Sequence, residues 1–184
     1  MSENGWTLHK TVVLVGMMGS GKSAVGRELA QKLSVPFLDS DHEIEEAAAM
    51  SIAEIFERDG EKFFRARETE VIKRLLESQK GILSTGGGAF MQAQNRELIT
   101  KLGVSLWLKA DTDLLWNRVK HKDTRPLLRT SDPYATLSDL QEKRVPYYEK
   151  ADLFVEANAR YSIGEMADAV IEALTSRPDV LEKT

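Results

Sequence analysis

Gly16-Met17-Met18-Gly19-Ser20-Gly21-Lys22-Ser23 follows directly on the apolar run Thr11–Val15 and precedes a helical pattern over 24–33. The spacing is that of a phosphate-binding loop, G-x-x-x-x-G-K-[ST], in the strand-then-helix context such a loop requires. Glycines let the backbone curl so that successive N–H groups face phosphate oxygens, and the positive end of the following helix adds attraction. Lys22 is expected to reach the β and γ phosphates of ATP and the Ser23 hydroxyl to bind magnesium directly, with Met18, Gly19, Ser20 and Gly21 completing the nucleotide cradle. A glycine-rich turn with a surface lysine is the plain alternative, which the flanking strand and helix argue against.

Outward from this loop, short apolar or β-branched runs recur at 36–38, 82–85, 104–108 and 153–155, separated by longer stretches with helical periodicity. That alternation predicts βαβ units and a parallel sheet. Ser51-Ile52-Ala53-Glu54 has the spacing of a capping box, and Asp59-Gly60 interrupts the helix it opens. Phe63, Phe64, Val71, Ile72, Leu75 and Leu76 then share one face of a second helix, with Arg65 and Glu68 as neighbours. Further helices are expected over 137–148 and 163–174. The stretch 118–134 holds five basic residues and two prolines without an apolar period and reads as a basic loop, while the polar tail 177–184 is expected to fray.

The chain has 184 residues, 42% of them hydrophobic, which fits one domain with a core of its own. Lys and Arg number 25 against 29 Asp and Glu, a net charge of -4 that argues against a general grip on nucleic acid or anionic lipid. Any anion site is therefore local. Without cysteine, disulfides and thiolate metal sites are excluded. The polar start and an apolar run over 12–18 too short to span a bilayer lead us to expect a cytoplasmic protein, and no patch argues for more than a monomer.

Asp39 and Asp41 sit two apart after a strand-like run, so in extended backbone their carboxylates point the same way, at the end of a parallel strand where ligands bind. One carboxylate near magnesium and one accepting the proton of an attacking hydroxyl suit phosphoryl transfer; Asp41 is assigned the hydroxyl and Asp39 the metal, through water. Capping of the helix that follows is the competing role for both. Gly86-Gly87-Gly88 after the run 82–85 would let a small ligand lie against backbone, or form no more than a turn. Arg65 and Arg144, taken alone, read as solvated ion-pair partners.

Taken together, Leu38-Asp39-Ser40-Asp41, Gly60-Glu61-Lys62-Phe63-Phe64-Arg65, Gly86-Gly87-Gly88, Arg125-Pro126-Leu127-Leu128 and Arg144-Val145-Pro146-Tyr147-Tyr148, in that order behind the phosphate loop, resemble the shikimate kinase family from about Val12 to Arg160. The resemblance implies an α/β three-layer sandwich of P-loop type, with a five-stranded parallel sheet in the order 2-3-1-4-5. It implies that ATP and Mg²⁺ are used to phosphorylate the 3-hydroxyl of shikimate. Asp41, Arg65, Arg144 and Gly86, Gly87 and Gly88 would form the shikimate site, the arginines holding its carboxylate. Arg125 would close over the phosphates from a lid spanning 118–135, and Arg160 would touch the adenine side. A kinase for another small acceptor, such as gluconate or a nucleoside monophosphate, and a noncatalytic nucleotide-binding switch are the competing readings. Phe56 and Phe64 read as core.

Overall fold

The computed structural model describes residues 5–121 and 128–184. Its centre is a five-stranded parallel sheet formed by β2 (Thr11–Val15), β3 (Phe37–Asp39), β4 (Ile82–Ser84), β5 (Gly103–Lys109) and β6 (Leu153–Glu156), ordered β3-β4-β2-β5-β6. Counting only these five, that is the expected 2-3-1-4-5. Every residue of β2 is buried, because helices cover both faces of a parallel sheet. Val13 and Val15 face one core with Ile44, Ile55, Phe64, Ile72 and Trp107, while Val12 and Leu14 face the other with Leu29, Val170 and Leu174.

The second face is closed by α1 (Lys22–Leu33) and α8 (Ile163–Thr175), which pack on each other. The first is covered by α2 (Ser40–Ala48), α3 (Ile52–Asp59), α4 (Glu61–Ser78), α5 (Ala93–Leu102), α6 (Thr112–Val119) and α7 (Pro133–Tyr148). On α4 the expected stripe is buried except Phe63, which is 39% exposed. Of the proposed capping box only half forms: the Glu54 amide donates to Ser51 Oγ at 3.2 Å. Phe56, partly buried, packs against the buried Phe64 with ring centroids 4.9 Å apart and the rings tilted by 41°.

Two expectations need correction. The basic loop is shorter than its composition suggests: Arg118 lies in α6 and Pro133 opens α7, both helices being capped at their start by aspartate side chains, Asp111 and Asp132. The tail is not frayed at its end. Leu181–Lys183 forms β7, antiparallel to β1 (Trp6–Leu8), and the pairing continues from Thr184 N to Gly5 O at 2.8 Å. Val180 and Leu181 are 0% and 1% exposed against α1 and α8, each burial worth about 1.5–3 kcal/mol. Polar composition hides this clasp because the pairing joins opposite ends of the chain. Among the described residues no helix is long and apolar enough to cross a membrane.

Candidate active site

The loop between β2 and α1 turns at Gly21, whose φ of +95° lies in the left-handed region that costs a side chain energy. Alanine there would strain the entry to α1. Helices α2, α3, α6, α7 and α8 begin under a side-chain cap, whereas α1, like α5, has neither a side-chain cap nor an acidic residue in its first turn, and only α1 of these two follows the glycine loop. Its amino end is thus left to serve an anion. Lys22 is 8% exposed and donates to the Gly16 and Met17 carbonyls at 2.7 and 2.9 Å, which holds its ammonium at the loop.

A cavity of 530 Å³ opens over this loop. Met18, Gly19, Ser20, Gly21, Lys22, Ser23, Asp39, Asp41, Gly86 and Gly87 line it, while Gly88, Arg65 and Arg144 do not and meet the rest through the glycine triplet. Its far end is more apolar, with Ala157, Ile163, Met166 and the partly exposed Tyr161. Arg160 does not line it; the residue is exposed in a turn made by its own amide and Asn158 Oδ1 at 2.9 Å. Arg125 lies outside the described residues.

The two aspartates divide the roles that sequence left open. Helix α2 begins at Ser40, so the extended backbone needed for parallel carboxylates ends at Asp39, and Asp41 sits in the first helical turn. Asp39 is the cap: its Oδ1 accepts from the Asp41 and His42 amides at 3.0 and 3.2 Å, while its Oδ2 accepts from Ser23 Oγ at 3.2 Å. Asp41 caps nothing. Its Oδ1 is buried without a hydrogen-bond partner among the described residues, and burial, then the Asp39 charge, pushes its carboxyl up to about 6. A carboxyl raised into this range beside a phosphate loop is poised to take a proton.

Each glycine of the triplet makes room for a different charged side chain. A Cβ on Gly86 would lie 2.8 Å from Asp41 Oδ1, on Gly87 2.9 Å from Arg144 Nη1, and on Gly88 2.3 Å from Arg65 Nη2. Arg144 is 7% exposed, and its Nη1 is without a hydrogen-bond partner among the described residues. A buried carboxylate, two guanidiniums and bare backbone thus converge, a set able to hold a small polyhydroxy acid.

Sequence reasoning missed three contributors. Glu68, 0% exposed, accepts from Arg65 Nη1 at 3.0 Å and orients it; burial pushes its carboxyl up to about 7, against the pull of Arg65. Its spacing from Arg65 was visible, its burial was not. Arg118 donates to the Gly19 carbonyl at 3.1 Å and lines the cavity, hidden in what read as a basic loop. Tyr148 donates its hydroxyl to the Gly87 carbonyl.

Comparison with known proteins identifies the family. A family model described as shikimate kinase matches residues 18–175. A shikimate kinase of Ruegeria pomeroyi is 67% identical over 175 residues, covering 95% of this chain and 90% of the relative. One from Cereibacter sphaeroides is 61% identical, covering 95% and 87%. The solved shikimate kinase of Acinetobacter baumannii in complex with shikimate superposes with a TM-score of 0.87 at 39% identity, over 91% of this chain and 93% of that one.

Proposed function

Because the chain belongs to the shikimate kinase family, we propose that it transfers the γ-phosphoryl group of ATP to the 3-hydroxyl of shikimate, giving shikimate 3-phosphate and ADP. The observation that carries this reading is the convergence of Asp41, Arg65 and Arg144 on the three glycines beside the phosphate loop. Arg65 and Arg144 supply paired donors for the substrate carboxylate, and Asp41 accepts the proton of the attacking hydroxyl. The new O–P bond forms in line as the bond to the bridging oxygen of ADP breaks, and Lys22 offsets the negative charge on the transferring group. Arg125, in the proposed lid, is assigned to the same charge, and Arg160 to the rim beside the adenine end.

Ser23 Oγ and Asp39 Oδ2, 3.2 Å apart, form a hard oxygen pair of the kind magnesium prefers. They would hold the ion, Ser23 directly and Asp39 through water, and the bound ion would neutralise phosphate charge. The hydroxyl and carboxylate hold each other in position meanwhile.

The decisive assay couples ADP release to a spectroscopic readout, with ATP, Mg²⁺ and either shikimate, gluconate, AMP or CMP. Turnover with shikimate alone is expected; equal turnover with gluconate or a nucleotide would replace the reading by the more general small-acceptor kinase. Gly88→Ala tests the acceptor site separately. Gly88 has φ −92° and ψ −5°, the conformation of the third residue of a type I turn, which most residues can adopt, so the added Cβ acts on Arg65 and not on the backbone. We expect the shikimate KM to rise about tenfold or more with the ATP KM within about twofold, the scale for disturbing a charged contact. An unchanged shikimate KM would remove Arg65 from the site.

A further inference from the structure

We propose that Tyr148 is a positioning residue for the acceptor site, its hydroxyl tying the Gly87 carbonyl to α7 so that the glycine floor and Arg144 keep one geometry. The inference rests on the reading of Gly86, Gly87, Gly88 and Arg144 as the shikimate site.

Tyr148 ends α7 and is 1% exposed, with its ring stacked on Trp107 at 5.8 Å and 28°. Phenylalanine would fill that space equally well, and burying a hydroxyl costs energy unless it is hydrogen-bonded, so the oxygen calls for its own explanation. It donates to the carbonyl of Gly87, the glycine against which Arg144 Nη1 lies. Arg144 is one helical turn earlier on the same face, and its Nη1 lies against the same Gly87 whose carbonyl takes the phenol hydrogen bond. The hydroxyl also stands 3.8 Å from Met17 Sδ, and the Met17 carbonyl accepts from Lys22. One side chain thus touches the acceptor floor, an acceptor arginine's neighbourhood and the phosphate loop. Burial pushes the phenol up to about 12, against the pull of Arg144, so it remains a neutral donor at working pH.

Tyr148→Phe keeps the ring and deletes the oxygen. With wild type and variant compared at saturating ATP and varied shikimate, then the converse, the shikimate KM should rise about five- to tenfold while the ATP KM stays within about twofold, the effect of one lost hydrogen bond. Trp107→Leu removes the stack and keeps the hydroxyl; it should lower Tm while raising the shikimate KM less than Tyr148→Phe does. An unchanged shikimate KM in Tyr148→Phe, a parallel rise of both KM values, or loss of the folded state would assign the hydroxyl to general stability and overturn the proposal. Equal shikimate KM effects from the two variants would overturn it as well. Wild-type enzyme idle with shikimate overturns the acceptor reading itself, a result distinct from these.

Discussion

Asp41→Asn is expected to lower kcat by about 10³-fold, within the range for removing a general base, with ATP affinity close to wild type. The carboxyl is isosteric with the amide, so the glycine floor need not move, and the role lost is acceptance of the hydroxyl proton. In wild type the same group sets an acid limb: ionised Asp41 is the competent form, so kcat/KM should fall as pH drops. Burial, then the Asp39 charge, holds the Asp41 carboxyl at about 6, so the limb should centre near that value. Retention of more than a tenth of wild-type turnover in Asp41→Asn would end the base assignment.

Stability should move the opposite way. A carboxyl whose pKa is raised by folding binds its proton more tightly in the folded state. Its favourable contribution is therefore complete below the usual value of 3.8 and is lost as pH rises through about 6. At pH 8 the buried charge costs on the order of 3 kcal/mol by linkage, so Asp41→Asn should melt roughly 5 °C or more above wild type. Near pH 4 the difference should vanish. Thermal scans at the two pH values check the sign, and a variant less stable at pH 8 would show that the Asp41 charge is compensated in the fold.

Lys22→Met should lower kcat by about 10²–10³-fold, the scale for losing a preorganised electrostatic contact to developing charge, and should weaken ATP binding as well. Methionine approximates the length of the lysine stem, so packing survives, but the Gly16 and Met17 carbonyls lose their ammonium donor, which costs about 1–3 kcal/mol for each one left unsatisfied. Unlike Asp41→Asn, this variant should melt below wild type. Lys22 also pulls the Asp41 carboxyl down, so its removal should shift the acid limb to higher pH. Single-turnover rates, calorimetric ATP titration and the residual pH profile separate the three effects. A kcat within tenfold of wild type would exclude Lys22 from the transferring group.

The legible parts of the site are those built from neighbours in sequence. Residues 16–23 read as a phosphate loop because its function resides in consecutive amides and the helix that follows. Asp39 and Asp41 were legible as a pair, yet which one caps α2 and which stays buried depended on where the helix starts and on the approach of Gly86. Glu68 reads as half of a solvated ion pair until the other layers of the fold bury it completely. Tyr148 reads only as the last residue of a helix and of a motif until Gly87, sixty-one positions earlier, is brought under its hydroxyl.

By itself the sequence determined the strand and helix alternation, the phosphate loop and the residue types needed for the chemistry, since these depend on spacings of a few residues along one element. The tertiary structure alone decided that three successive glycines face Asp41, Arg144 and Arg65 in turn, that Glu68 and Tyr148 support them, and that the ends of the chain pair as β1 and β7. The physical reason is that burial, hydrogen-bond satisfaction and charge coupling depend on atoms brought together from distant segments, whose approach is set by packing of the whole fold.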